Sequence, residues 1–203
     1  MTKSLRRKEG VRERRKKFVI VCEGTETERI YFIKYRTRYD NLEVILPDSR
    51  CTDPKGLVKF CQKSIESYYL DLKNGDVIWC VFDWDNNKQE AIFTAFRKAK
   101  KVKLCLSNPS YELWYLLHFV DRFSKLNNDE LKEKLERHIP NYDKSKNYFE
   151  LLESKRESAI NRAKRLNEMH EKNGTDLKSI DSNPSTQVFK IVEELLSITQ
   201  HSK

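Results

Sequence analysis

The chain has 203 residues, of which 35% are charged and 38% hydrophobic, with only five Gly and five Pro. That balance excludes a fibrous, low-complexity or disordered chain and fits a folded, helix-rich α/β protein. No run approaches the ~18 apolar residues a bilayer crossing needs and no secretory leader opens the chain, so a cytoplasmic protein is expected.

The formal charge of +9 is concentrated at one end. Residues 1–17 hold nine Lys/Arg and two Asp/Glu, and the rest of the chain holds 31 basic and 29 acidic residues. Residues 1–16 therefore read as a basic flexible arm that would engage DNA or RNA phosphates by counterion release, without sequence preference. The plainer reading of the same charge is a solubilising tail.

Phe18 to Cys22 is a continuous apolar run that ends at Glu23-Gly24, as a strand buried on both faces would. Thr25 to Tyr39 reads as a helix stopped by Asp40-Asn41, and Leu42 to Leu46 as a second strand stopped by Pro47. Pro54 suits the first turn of a helix carrying Leu57, Val58, Cys61, Ile65, Tyr68 and Leu72. Val77 to Phe82 is the strongest strand signal, and it breaks off into Asp83-Trp84-Asp85-Asn86-Asn87. A helix through Ala91, Ile92, Ala95, Phe96 and Ala99 and a strand through Val102, Leu104 and Leu106 follow. Asn108-Pro109 reads as a cap for an apolar helix over Leu113 to Phe119. Solvated helices are expected over Asn128–His138 and Lys146–Asn173, with Gly174 as the stop. Asn183-Pro184 reads as the cap of a last helix whose stripe is Val188, Ile191, Val192, Leu195 and Leu196. The expected architecture is a mostly parallel sheet flanked by helices over residues 17–125, with a helical extension over 126–203 packing on that core.

Cys22, Cys80 and Cys105 sit in apolar runs, and none of the five cysteines forms a CxxC pair, so buried thiols are expected and a zinc site is not. The carboxylates carry more chemistry. In extended backbone, residues two apart point the same way, so Asp83 and Asp85 can share a cation. Glu23 closes the first strand, and ligands of open parallel sheets collect beyond the carboxyl ends of the strands. Three carboxylates meeting there would repel by about 4 kcal/mol per pair at 4 Å and an effective dielectric of 20. A hard divalent ion, Mg²⁺ or Mn²⁺, relieves that repulsion. Against this stand the plainer readings: solvated turn residues for Asp83 and Asp85, and a helix-dipole acid for Glu23.

An apolar strand closed by Glu23-Gly24, with Asp83-x-Asp85 after a later strand, resembles the Toprim fold of topoisomerases, primases and related nucleases. More narrowly, Val21-Cys-Glu-Gly-Thr-Glu-Thr-Glu28 with Tyr31-Phe32, Asn108-Pro-Ser-Tyr-Glu-Leu-Trp-Tyr-Leu-Leu-His-Phe119, Tyr142-Asp-Lys144 and Asn183-Pro-Ser-Thr186 resemble the RloB family in the same order. The resemblance implies a Toprim-like α/β core, a setting in prokaryotic defence loci, and metal-dependent nuclease chemistry with Glu23, Asp83 and Asp85 as metal ligands. It places Glu26 and Glu28 near the position of a general base, and a co-encoded defence protein becomes a candidate partner. Trp84 departs from the small or basic residue common at that point of Toprim motifs. The alternative is a non-catalytic module that binds nucleic acid or a nucleotide signal and assists a partner nuclease.

Within the Asn108 motif, Glu112 is near enough to the helix start to reach the strand ends, whereas His118 lies about 240° around the axis and reads as a packing histidine. Lys144 is a candidate for contact with a phosphate or for stabilising transition-state charge, set against its reading as one more solvated lysine.

Overall fold

The structure is a computed structural model that describes residues 14–36, 41–85, 87–121 and 124–200. The expected basic arm therefore lies outside the described residues as far as residue 13, and so does the helix break expected at Asp40.

Four strands run parallel: β1 (Lys16–Cys22), β2 (Leu42–Ile45), β3 (Val77–Asp83) and β4 (Lys103–Asn108). A two-residue strand, β5 (Ser185–Thr186), runs antiparallel to β4, and the sheet order is β2-β1-β3-β4-β5. The helices among the described residues are α1 (Thr27–Ile33), α2 (Pro54–Ser67), α3 (Gln89–Lys98), α4 (Glu112–Leu117), α5 (Asn128–Glu136), α6 (Phe149–Glu153), α7 (Arg156–Lys172) and α8 (Val188–Gln200).

Alternation along the central strands divides the core in two. Phe18, Ile20 and Cys22 of β1 join Val77, Trp79 and Val81 of β3 on one face, which α1 and α4 to α8 cover. Val19, Val21, Ile78, Cys80 and Phe82 face the other way, against Leu57, Val58 and Cys61 of α2 and Ile92 and Ala95 of α3. Successive side chains of a strand point to opposite faces, so a strand covered on both sides must be apolar throughout. Each large side chain so buried contributes roughly 1.5–3 kcal/mol. Cys22, Cys61, Cys80 and Cys105 are buried free thiols.

Local chemistry sets several of the boundaries. The Asp53 carboxylate accepts from the Gly56 N–H at 2.8 Å and Pro54 opens α2. Asn127 and Glu130 form a capping box at the start of α5. Gly174, at φ 71°, takes the left-handed turn that ends α7.

Both Asn-Pro pairs depart from the capping role expected of them. Asn108 is the last residue of β4 and pairs with Ser185, and Asn183 precedes β5 rather than α8. The Asn108 amide donates to the Ile180 carbonyl at 3.1 Å, and Asn183 exchanges two hydrogen bonds with the backbone of Leu126. The Ser107 and Thr186 hydroxyls meet at 2.9 Å between the same two strands. The two motifs thus hold each other across the sheet edge, because these buried polar groups find better partners there than at a helix start. The solvated segment 146–173 is also divided, into α6 and α7, with Phe149, Leu152 and Leu166 in the core.

Candidate functional site

Parallel pairing fixes the position of the acidic residues before any side chain is considered. Cys22 is in register with Val81 and Asp83 with Ser107, so β1, β3 and β4 end side by side. The Glu23 N–H donates to the Val81 carbonyl at 2.9 Å, and its carboxylate accepts from the Asp83 N–H at 3.2 Å. Asp85 follows a bend in which the Trp84 and Asp85 N–H groups donate to the carbonyls of Ser107 and Pro109. Its carboxylate accepts from the Asn128 amide at 2.7 Å. Trp84 is buried, and its ring N–H donates to the Lys178 carbonyl, which ties the strand end to the C-terminal half.

Glu23, Asp83 and Asp85 line a cavity of about 330 Å³ together with Glu28, Glu112, Tyr111 and Lys144. Glu23, Glu28, Asp83, Asp85, Glu112 and Lys144, which lie far apart in sequence, are brought to one place. Glu26 is on the same wall but exposed. His118 is elsewhere: buried, with Nδ1 2.8 Å from the Trp114 carbonyl and the ring edge-on to the Trp114 indole. Burial pushes its pKa down to about 4.

Gly24 makes the packing of Glu28 feasible. A Cβ at position 24 would come within 2.5 Å of a Glu28 carboxylate oxygen, so any side chain there would force the Glu28 carboxylate to shift. Glu28 is in the first turn of α1 and is buried beneath Gly24. Glu112 opens α4, also buried, and its carboxylate is 2.7 Å from the Lys144 ammonium and 3.4 Å from the Tyr142 hydroxyl.

Burial and mutual repulsion raise Glu23, Glu28, Asp83 and Asp85. Asp83 is held well above the ordinary aspartate range, first by burial and then by the charges of Glu28, Glu112 and Asp85. Burial and Glu112 push Glu28 up to about 7. Glu23 and Asp85 are raised as well, chiefly by burial. Lys144 moves the favourable way: burial lowers its pKa, but the hydrogen bond and charge of Glu112 outweigh that.

Among the described residues, no three or more His, Cys, Asp or Glu are arranged closely enough to hold a metal ion as they stand. The donor chemistry nevertheless fits a hard divalent cation. The donors are all carboxylate oxygens, and Asp83 Oδ1 is buried without a hydrogen-bond partner. An unpartnered buried acceptor among like charges is costly unless a cation or proton meets it.

Tyr111 and Asn128 also belong to this neighbourhood, and nothing local in the sequence marks them. Tyr111 reads as part of an apolar motif and Asn128 as part of a helix start. Only the approach of α5 to the end of β3 brings Asn128 against Asp85.

No helix among the described residues is long and apolar enough to cross a membrane. No curated protein and no solved structure matches the chain. The family model described as RloB-like protein matches residues 18–195, and the chain belongs to that family.

Proposed function

We propose that the protein is a metal-dependent phosphodiesterase that cuts nucleic acid, with Glu23, Asp83 and Asp85 as the ligands of Mg²⁺ or Mn²⁺. The observation that carries the reading is the buried, unpartnered Asp83 oxygen in a cavity walled by further carboxylates, with the proton affinities of Glu23, Glu28, Asp83 and Asp85 raised. A bound divalent ion would supply a polarised water and charge neutralisation on phosphoryl oxygens.

The chain's own groups complete the chemistry. Glu28 and Glu112 face the cavity as acceptors for the proton of an attacking water. Lys144, beside Glu112, offers positive charge where the phosphoryl oxygens gain negative charge. The basic arm would hold the nucleic acid, and the family resemblance supports a setting in prokaryotic defence beside a co-encoded partner. A second reading, a binding module that holds nucleic acid or a nucleotide without cutting it, draws on the absence of a ready-made three-ligand group among the described residues.

Labelled single- and double-stranded DNA and RNA, incubated with purified protein in Mg²⁺, Mn²⁺ or EDTA, separate the two. Cleavage that EDTA abolishes is expected. Tight binding with no cutting in either metal would replace the first reading with the second.

A further inference from the structure

A second cavity, of about 730 Å³, adjoins the acidic one, and Glu112 and Lys144 stand in the wall between them. Asn128, which holds the Asp85 carboxylate, also lines it. Its apolar surface comes from Leu131 and Tyr142, both buried, and Lys132 and Lys146 stand exposed at its rim. The volume lies within the usual range of small-molecule sites, ~300–1,000 Å³. An apolar wall for a flat ring, amides for its edge and lysines for the flanking phosphates are the elements of a nucleotide site.

We propose that this cavity receives one unpaired base next to the phosphate held over the carboxylates, so that the substrate is single-stranded or looped nucleic acid. The assignment rests on the phosphodiesterase reading for the position of the scissile phosphate. A paired base cannot enter such a cavity without being flipped from its stack, which costs a duplex energy that a single strand does not lose. The lining also holds Glu112, Asp129 and Asp143, and Lys144 is paired with Glu112, so the exposed Lys132 and Lys146 at the rim are the groups that would meet the flanking phosphates of a strand.

The test uses the full chain in EDTA and fluorescence anisotropy with labelled ten-nucleotide RNA and DNA single strands, the matched duplexes, and single strands with abasic positions. The wild type should prefer the single strand to the duplex. Abasic positions should weaken binding by about tenfold, the effect of removing an enclosed base. A Lys132→Gln/Lys146→Gln variant, both sites being exposed, should keep its melting temperature and its metal-induced thermal shift. It should bind single strands about tenfold more weakly while changing duplex affinity by less than about twofold. Equal affinity for abasic and normal strands, or unchanged single-strand binding in the variant, overturns the proposal. If the wild type gains no thermal stability from Mg²⁺ or Mn²⁺ while the abasic and variant effects appear, the base site stands and the metal reading fails.

Discussion

The third strand has an aspartate at each end, Asp76 buried and Asp83 half-buried, and the two are treated oppositely. Asp76, just before β3, accepts from the backbone N–H groups of Lys17 at 2.9 Å and Asp71 at 2.7 Å and from the Arg14 guanidinium at 2.6 Å. Burial pushes its proton affinity up, but the Lys17 N–H, the Arg14 guanidinium and the Asp71 N–H outweigh that and hold its pKa below the ordinary value. Asp83, which ends β3, has an oxygen with no partner, three acids as electrostatic neighbours and a pKa well above the ordinary value. Seven residue steps of strand, roughly 23 Å, separate a carboxylate that is satisfied by the fold from one whose oxygen the fold leaves without a partner. The first arrangement is what stability alone produces; the second costs stability and, on the proposed reading, is where a cation would bind.

The largest test of this contrast is kinetic. Asp85→Ala, which removes a carboxylate from the acidic end, should cut single-turnover cleavage by on the order of a thousandfold while affinity measured in Ca²⁺ changes little. Asp76→Asn, assayed below its melting transition, should cleave at the wild-type rate. Equal losses in both variants would mean that the two ends are not functionally distinct.

Thermal stability should invert the order. Asp76→Asn replaces an acceptor of two backbone N–H groups with an amide that must turn an NH₂ toward one of them, and it weakens the bond to Arg14. A cost of about 3 kcal/mol follows, or a melting temperature lower by about 6–12 °C for a chain of this size. A loss of less than about 1 kcal/mol would show that the bonds to Asp76 do little for the fold.

How far the contrast was legible in the sequence depends on the range of each contact. The continuous apolar runs mark the strands and their ends, and the β-α-β rhythm puts Glu23 and Asp83 at the same end of a parallel sheet, but the order β2-β1-β3 that sets them side by side shows only in the strand pairing. Asp76 closes Asn74-Gly75-Asp76, a sequence typical of a turn, and nothing local shows its anchoring role, because Arg14 is 62 residues away. β5 is a Ser-Thr pair with no apolar period, so only its hydrogen bonds to β4 reveal it. The Asn-Pro pairs carry true local capping signals that long-range partners override.

Titration sharpens the comparison further. Glu28 has a folded-state pKa of about 7 against 4.5 in the unfolded chain. The folded state binds the extra proton in that window, so metal-free stability gains as pH falls from about 7 to 4.5. His118 works against it: its folded pKa of about 4 lies below its ordinary 6.5, so the unfolded chain takes up the proton first and stability is lost across that range. Asp76, with its lowered pKa, enters only below about pH 3.8, where its contribution is lost as pH falls. Glu28→Gln should therefore remove the share of the acid-side gain that Glu28 supplies, while Asp83, Glu23 and Asp85 keep theirs, a change on the order of 2 kcal/mol between pH 7 and 5 in EDTA. Urea unfolding at several pH values measures it, and superimposable curves for wild type and variant would show that Glu28 titrates normally.

The smallest expected effect has the most telling sign. Asp83→Asn makes the same chemical change as Asp76→Asn, at the other end of the same strand, yet it removes a carboxyl group that burial and the charges of Glu28, Glu112 and Asp85 all oppose. Because the native state at neutral pH either protonates that group or bears the repulsion, replacing it with a neutral isostere should stabilise the metal-free protein by about 1 kcal/mol, or about 2–4 °C. The same variant should lose the thermal shift that Mg²⁺ or Mn²⁺ gives the wild type, since a ligand bound only to the native state stabilises by mass action and its donor is gone. Differential scanning fluorimetry with and without metal reads both effects in one experiment. If Asp83→Asn melts lower than the wild type in EDTA, the buried oxygen has a partner that stabilises it as a carboxylate. If it keeps the full metal shift, Asp83 is not among the ligands.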